Sequence, residues 1–220
     1  MNKIFSLVIF IFMVPFLYAE SEETDKINGS GVSMVETRVD SNYSALDINI
    51  AFDQIIVHCG LGDSTKIVGD DNIVPHIITK VKDDVLYISS VQEFETKTES
   101  VLTIHIQTLD TLSFKGVGEI TVDKLDNQMF YCDFMGVGSC TLSGKVNNFT
   151  MNMNGVGSVN AKELIANIVD ANVNGVGSAE VYAIDSLYAA VNGIGGLTYY
   201  GNPKKKEISN SFLGGITKGK

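Results

Sequence analysis

From about residue 111 onward, apolar and polar side chains alternate along the chain in runs separated by glycine pairs. Alternation with period two is typical of a β-strand with one buried face. The apolar positions of successive runs align into five rows with one member from each run. Three rows precede the glycine pairs: Phe130, Phe149, Val169 and Leu187; Cys132, Met151, Ala171 and Ala189; Phe134, Met153, Val173 and Val191. Two rows follow them: Ile120, Cys140, Val159, Ala179 and Leu197; Val122, Leu142, Ala161, Val181 and Tyr199. We expect these rows to form the core.

The glycine pairs recur at a nearly constant interval. Gly-Val-Gly occurs at 116–118, 136–138, 155–157 and 175–177, and Gly-Ile-Gly follows at 193–195. A fixed period near 20 residues indicates a solenoid. A helical solenoid is the main rival, but the strict alternation and the β-branched residues oppose helices. The sequence therefore predicts an all-β fold, a right-handed parallel β-helix with coils of about 20 residues.

Three Asn-Gly pairs are predicted to form structural corners of the coils: Asn154 with Gly155, Asn174 with Gly175, and Asn192 with Gly193. Asn and Gly both tolerate the positive φ that a sharp corner requires. The three asparagines should stack into a hydrogen-bonded ladder. The residue between each pair of glycines is expected to point inward, which concerns Val117, Val137, Val156, Val176 and Ile194.

The first half of the chain is less regular. Residues 20–44 are polar and suggest a leader that is flexible at least in part. Strand-like runs follow at 54–59, 65–68, 77–81, 85–89 and 101–107, with Asp83-Asp84 as a candidate hairpin turn. We expect one β-helical domain over residues 45–220, with its regular coils at 111–220.

The chain begins with the pattern of a signal peptide. Lys3 precedes a short apolar run from Ile4 to Leu17, and Ala19 follows before an acidic stretch. The run is shorter than the roughly 18–20 residues of a spanning helix, although an uncleaved anchor is the alternative. The prediction is a signal peptide at 1–19, and therefore an exported protein that is periplasmic, cell-surface or extracellular and not membrane-spanning once mature.

Net charge and arginine content limit the classes of partner, and the cysteine content bears on disulfides. The formal net charge is −10, which argues against nucleic acid and anionic lipid. Arg38 is the one arginine, so bidentate anion clamps are nearly excluded. The three cysteines, Cys59, Cys132 and Cys140, do not make a disulfide framework, and whether Cys132 and Cys140 pair stays open.

No catalytic constellation is visible in the sequence. A polysaccharide lyase or hydrolase on a β-helix needs carboxylates that converge from neighbouring coils, whereas Asp133 and Asp170 fall on different rows and coils. The three histidines lack metal-ligand spacing: His58, His76 and His105. We therefore expect no catalytic residue, no metal and no cofactor.

The outward rows provide the candidate binding residues. Tyr131, Thr150 and Tyr188 share one outward row, and Asn152 and Asn172 share the next. A flat sheet that exposes Tyr, Thr and Asn could contact a glycan or an envelope protein, or these side chains could simply decorate the surface.

Several segments resemble a known family. They are Phe52-Asp53-Gln54-Ile55, Val68-Gly69-Asp70, Leu86-Tyr87-Ile88, the repeated Gly-x-Gly-Ser coils and the closing Tyr199-Tyr200-Gly201-Asn202-Pro203. In this order they resemble the putative auto-transporter adhesin head GIN domain family of bacterial envelope proteins, over residues 45–220. The resemblance implies export and a β-helical fold, transfers no catalytic residues, and suggests adhesion.

Two functions follow as hypotheses. The first is a secreted or cell-envelope binding or structural module, adhesin-like, whose flat faces contact a glycan or a protein. The alternative is an enzyme that acts on polysaccharide. Converging carboxylates in one groove would favour the enzyme, and flat polar faces would favour binding.

Overall fold

The structure is a computed structural model that describes residues 26–39, 42–210 and 213–220. These residues form strands almost throughout, with one 3₁₀ turn at Val74–His76. The strands are β1 (Ile27–Asn28), β2 (Ser33–Arg38), β3 (Ala45–Asn49), β4 (Ala51–Cys59), β5 (Ser64–Asp70), β6 (Ile77–Lys82), β7 (Val85–Ser90), β8 (Phe94–Glu95), β9 (Val101–Ile106), β10 (Thr111–Phe114), β11 (Val117–Phe134), β12 (Val137–Met153), β13 (Val156–Val173), β14 (Val176–Val191), β15 (Ile194–Gly201), β16 (Lys205–Asn210) and β17 (Gly214–Lys218).

The regular part is a β-solenoid of about five turns with coils about 20 residues apart. Each of β11, β12, β13 and β14 is one coil, and it pairs in parallel with the coil before and the coil after it. Two of the long strands bend in their middle at a residue with positive φ, Lys124 in β11 and Gly144 in β12, and the pairing of β13 with β12 and β14 shifts register at the corresponding place. The half before the bend and the half after it therefore cover opposite sides of one core.

The five predicted apolar rows are confirmed as the core. Phe130, Phe149, Val169 and Leu187 pair in register, and the other rows do the same. No member of any row is more than 7% exposed. Each row thus takes one residue from each coil, and this stacking explains why the coils have nearly the same length.

The N-terminal strands extend the same stack. β3 continues it on one side through its parallel pairing with β10 and β7, and β4 does so on the other through β11 and β9. The end of the stack is antiparallel: β5 pairs with β9 and β2, and β6 forms a hairpin with β7. Asp83 and Asp84 form the hairpin turn with φ of 50° and 66°.

Part of the segment that the sequence suggests is a flexible leader is strand in the structure. β2 adds to the edge of β5, and backbone hydrogen bonds form in a strand pair whatever the side-chain polarity. The buried Asp70 carboxylate holds the segment before β2 by accepting a hydrogen bond from Gly31 N at 2.6 Å. A polar composition therefore did not prevent order over residues 26–39.

The predicted signal peptide, residues 1–19, lies outside the described residues. Within the described part of the chain, no helix is long and apolar enough to cross a membrane.

The corners differ from the prediction in orientation. Val117, Val137, Val156, Val176 and Ile194 are 47–55% exposed and do not point inward. The positive φ belongs to the second glycine of each pair, for example Gly157 at 138° and Gly177 at 145°, and not to the Asn-Gly pair. Because the chain turns at this second glycine, the residue before it projects from the edge of the coil.

The first glycine of each pair is required for a different reason. A Cβ on Gly155 would lie 2.1 Å from the carbonyl oxygen of Gly136 in the coil before, and one on Gly175 would lie 2.0 Å from that of Gly155. The Asn-Gly pairs occupy the breaks between consecutive strands, as expected.

The predicted asparagine ladder is confirmed. Asn192 donates to Asn174 Oδ1 at 2.9 Å, and Asn174 donates to Asn154 Oδ1 at 3.0 Å. The ladder continues to the preceding coil, where Asn154 Nδ2 donates to Asp133 Oδ1 at 3.1 Å.

All three cysteines are buried and free. A hydrogen bond with the Cys140 thiol, together with burial, raises the pKa of Cys132 well above its usual value. Burial raises the pKa of Cys59 to about 12, with a further contribution from the negative charge of Asp123. The Cys59 and Cys132 thiols are therefore protonated and poor nucleophiles, and all three cysteines belong to the apolar core.

Candidate functional site

The candidate binding residues lie on one continuous sheet surface, which we call the tyrosine face. It is the outward side of β7, β3, β10, the second halves of β11 to β14, and β16, and it carries Tyr87, Tyr131 and Tyr188. Neighbouring strands lie about 4.8 Å apart, so the face is about 34 Å wide from β7 to β16. Alternate residues of each strand point out of it because their neighbours fill the core.

The five predicted surface residues occupy the rows expected from the sequence. Tyr131, Thr150 and Tyr188 lie in one row, in which Asp170 stands between Thr150 and Tyr188. Asn152 and Asn172 lie in the neighbouring row. Three strand steps separate Tyr131 from Tyr188, which is about 14 Å, so the two rings cannot contact each other.

Hydrogen bonds hold several of these side chains in place. Asn152 Nδ2 donates to the Tyr131 hydroxyl at 2.9 Å, and Asn172 Nδ2 donates to Asp170 Oδ1 at 3.1 Å. Lys205 donates to the Tyr188 hydroxyl at 2.8 Å and lies 4.8 Å from the centre of that ring. The phenol rings are thereby preorganised, which lowers the entropy lost when a ligand binds.

A depression of about 570 Å³ opens beside Tyr131. Its walls include Thr111, Tyr131 and Thr150, which are neighbours in the same outward row, together with Gln128 and Asn148. The volume lies in the range of about 300–1,000 Å³ that is common for ligand sites. An aromatic ring, hydroxyls and amides thus surround one concavity, and Met129, 66% exposed, adds an apolar contact.

A second concavity lies at the corner of the first coils, and no sequence pattern indicated it. Two adjoining cavities of about 580 and 510 Å³ share Ala51 and Phe94 in their walls, and we call them together the Phe94 groove. Glu93, Glu95 and Glu119 line it together with Lys26, which forms an ion pair with Glu95 at 3.4 Å. Strand β8, which carries Phe94, is far in sequence from β4, which carries Ala51, so a local pattern carries no signal for the groove.

The structure brings two of the three histidines together on the other side of the solenoid. His58 of β4 and His105 of β9 are paired in register, and their ring centres are 5.5 Å apart. Asp123 Oδ2 lies 2.8 Å from His58 Nδ1, and Ser64 Oγ lies 3.2 Å from His105 Nδ1. We call Ser64, His105, His58 and Asp123 the histidine row. Sequence spacing gave no reason to pair the two histidines, because 47 positions divide His58 from His105.

The acidic residues of the regular coils remain dispersed. Asp133 bonds the asparagine ladder and Asp170 bonds Asn172, so these two carboxylates act in separate contacts. Among the residues that the structure describes, no three His, Cys, Asp or Glu side chains converge as they would around a metal ion.

The third histidine, His76, lies apart from this pair in the 3₁₀ turn.

Comparison with known proteins identifies a family whose model matches most of this chain. Residues 42–203 match the model of a family described as "Putative auto-transporter adhesin, head GIN domain". None of the curated proteins matches the chain.

Solved structures share the fold. A putative adhesin from Bacteroides fragilis NCTC 9343 is 28% identical, with a TM-score of 0.73, over 87% of this chain and 99% of its own. A putative adhesin from Parabacteroides merdae ATCC 43184 is 16% identical, with a TM-score of 0.52, over 89% of this chain and 100% of its own. A protein described as a putative lipid binding protein from Parabacteroides distasonis ATCC 8503 is 17% identical, with the same TM-score and the same coverage. The two more distant structures bear on the fold alone.

Proposed function

Because this chain belongs to the putative auto-transporter adhesin head GIN domain family, we propose that it is an exported, adhesin-like binding module of the cell envelope. We further propose that it binds a glycan through the tyrosine face. The depression beside Tyr131 carries this proposal, because an aromatic ring, hydroxyl groups and amide groups line a concavity of ligand size.

The chemistry of the depression suits a neutral, hydroxyl-rich ligand. Tyr131 offers an apolar ring for stacking and a polar hydroxyl, and such residues are common anchors in binding sites. Gln128, Asn148 and Thr150 offer both donors and acceptors. Asp110 is the one charged side chain among the described residues that line the depression, so most of its polar contacts would come from neutral groups.

The flat face beyond the depression supports a polymer as the ligand. The row of Tyr131 continues through Thr150 and Asp170 to Tyr188. A chain of sugars that lies along this row would meet an aromatic ring at both ends and hydrogen-bonding groups between them. Repeated weak contacts of this kind raise the overall affinity by multivalency.

The test is a glycan array followed by titration with the best-bound glycan. Tyr131→Ala should weaken binding at least tenfold, and Tyr188→Ala should weaken binding of long but not short oligosaccharides. Tyr182→Ala is the matched control, because Tyr182 points outward from the first half of β14 on the opposite side. Equal affinity of Tyr131→Ala and wild type would contradict the proposed site.

The alternative function, a polysaccharide-active enzyme, requires a separate measurement. Incubation of the protein with each bound polysaccharide, followed by mass spectrometry of the products, detects cleavage directly. Shortened chains would support the enzyme, and intact chains that remain bound would support the adhesin-like module.

A further inference from the structure

The histidine row has the arrangement of a metal-binding imidazole pair. We propose that His58 and His105 chelate one divalent transition-metal ion through their Nε2 atoms, with water molecules as the remaining ligands. The site lies on the outward side of β4 and β9, away from the tyrosine face, so it is independent of the glycan site.

The tautomer of His58 follows from its partner. Asp123 Oδ2, at 2.8 Å from His58 Nδ1, can only accept a hydrogen bond when the carboxylate is ionised, so Nδ1 carries the proton. In the neutral ring, Nε2 then presents its lone pair. No hydrogen bond within the described part of the chain engages Nε2 of His58 or of His105.

His105 has the same arrangement with a weaker partner. Its Nδ1 lies 3.2 Å from Ser64 Oγ, which can accept the Nδ1 proton. Histidines that bind metals regularly donate their second ring N–H to a carboxylate or another acceptor, and this fixes the tautomer and the ring orientation. Both rings of this pair have such an acceptor already in position.

The position of the rings permits chelation. Parallel pairing of β4 and β9 places the two Cα atoms about 4.8 Å apart with both side chains on one surface. The ring centres are 5.5 Å apart and the planes are tilted by 31°. One ion bound by both nitrogens at about 2.0–2.1 Å requires them to lie within about 4 Å of each other. Chelation therefore requires the rings to rotate toward each other, and both rings are partly open to solvent, which leaves room for that rotation.

An unsatisfied oxygen is the second observation at this place. Asp123 Oδ1 is buried and has no hydrogen-bond partner among the described residues. A buried carboxylate oxygen without a partner is costly unless a positive charge compensates it. A cation on His58 Nε2 makes the imidazole more positive and strengthens its bond to Asp123, which offsets that cost.

Imidazole nitrogen selects among metals. It suits zinc, copper and nickel, and copper binds most tightly in the usual order of divalent affinities. Two protein ligands with open positions leave room for water or for a donor from another molecule. Two imidazole ligands therefore favour Cu²⁺ over Zn²⁺ by the general order of affinities and disfavour Mg²⁺ and Ca²⁺, which prefer oxygen.

The experiment uses the untagged full chain as purified, titrated by calorimetry with Zn²⁺ and with Cu²⁺. We expect one ion per chain, an affinity at least tenfold lower in His58→Ala and in His105→Ala, and no binding at this site in the double variant. His76→Ala is the matched control and should bind as wild type does. Asp123→Asn keeps both ligands but weakens the acceptor, and should lower the affinity about 10-fold or more.

Copper electron paramagnetic resonance separates chelation from general adsorption. Hyperfine coupling to two nitrogens should appear in the wild type and to one nitrogen in each single variant. Circular dichroism melts check that every variant is folded. Unchanged affinity in the double variant would overturn the proposal. So would the absence of Cu²⁺ binding at about 1 mM, a concentration that half-fills even a weak site with a Kd of that size.

Discussion

At the scale of the residue, neighbouring positions of one strand lie in opposite environments. Val173 is fully buried between Met153 and Val191 of the adjacent coils, whereas Asn172 points out of the tyrosine face. Substitution of Val173 by Asp would bury a charge without a partner, at a cost of several kcal/mol. We expect Val173→Asp to unfold or aggregate the protein in circular dichroism and melting experiments.

Asn172→Asp is the matched control for this change. The new carboxylate would lie in solvent near Asp170 and would lose one exposed hydrogen bond, so we expect a cost within about 1 kcal/mol. The pair of variants tests the register, because a slip of one residue exchanges the two environments. Equally stable variants would contradict a half-buried strand at this place.

Asp70 is a buried residue whose carboxylate accepts hydrogen bonds from three backbone N–H groups. Burial alone would raise its pKa, but hydrogen bonds from the backbone of Thr98, Gly31 and Lys97 outweigh burial, and the pKa is lowered below its usual value. A lowered folded-state pKa adds stability above the unfolded pKa of about 3.9, and this stability is lost as pH falls through the folded value.

The corresponding variant is Asp70→Asn, which turns an amide toward backbone donors. We expect it to lower the free energy of unfolding by about 1–3 kcal/mol at pH 7. The difference between wild type and variant should shrink as the pH falls below about 4. Urea melts at several pH values provide the measurement, and a difference independent of pH would contradict a role for the charge.

At the scale of the element, close contact between coils limits side-chain size at the corners. A Cβ on Gly175 would lie 2.0 Å from the carbonyl oxygen of Gly155, which is backbone and cannot move away cheaply. We expect Gly175→Ala to destabilise the protein by about 1–3 kcal/mol or more through overpacking. Because φ of Gly175 is not positive, the expected loss comes from collision and not from backbone strain.

Gly62→Ala is the control for this substitution. Nothing lies within 4 Å of a Cβ built on Gly62, and its φ is not positive. Its melting temperature should therefore equal that of the wild type or rise slightly. A similar loss in both variants would show that the stacking of the corners does not set the cost.

At the scale of the whole molecule, the N-terminal pattern of a charge, an apolar run and Ala19 predicts export. Mass spectrometry of the protein recovered from outside the cytoplasm should find Glu20 as the first residue. Cell fractionation gives the matching measurement of location. Intact Met1 on most of the exported protein would contradict cleavage and favour the uncleaved anchor.

The sequence by itself determined the regular coils. Apolar alternation sets which face of a strand is buried, and the 20-residue period brings equivalent residues into register, so Phe130, Phe149 and Val169 could be assigned to one buried row. Both signals are local or periodic and need no knowledge of distant contacts. The same is true of the asparagine ladder, which follows from the period alone, and of the rows that contain Tyr131 and Asn152.

The tertiary structure alone decided the features in which distant segments meet. The residue between two glycines projects outward because the turn lies at the second glycine. The stacked coils determine which glycine takes the positive φ, and composition does not reveal it. Residues 26–39 are ordered because β2 pairs with the edge of β5. His58 and Asp123, 65 residues apart, form one hydrogen bond because β4 and β11 are adjacent coils. Side-chain pairs of this kind depend on which strand edges meet, and only the folded chain fixes that.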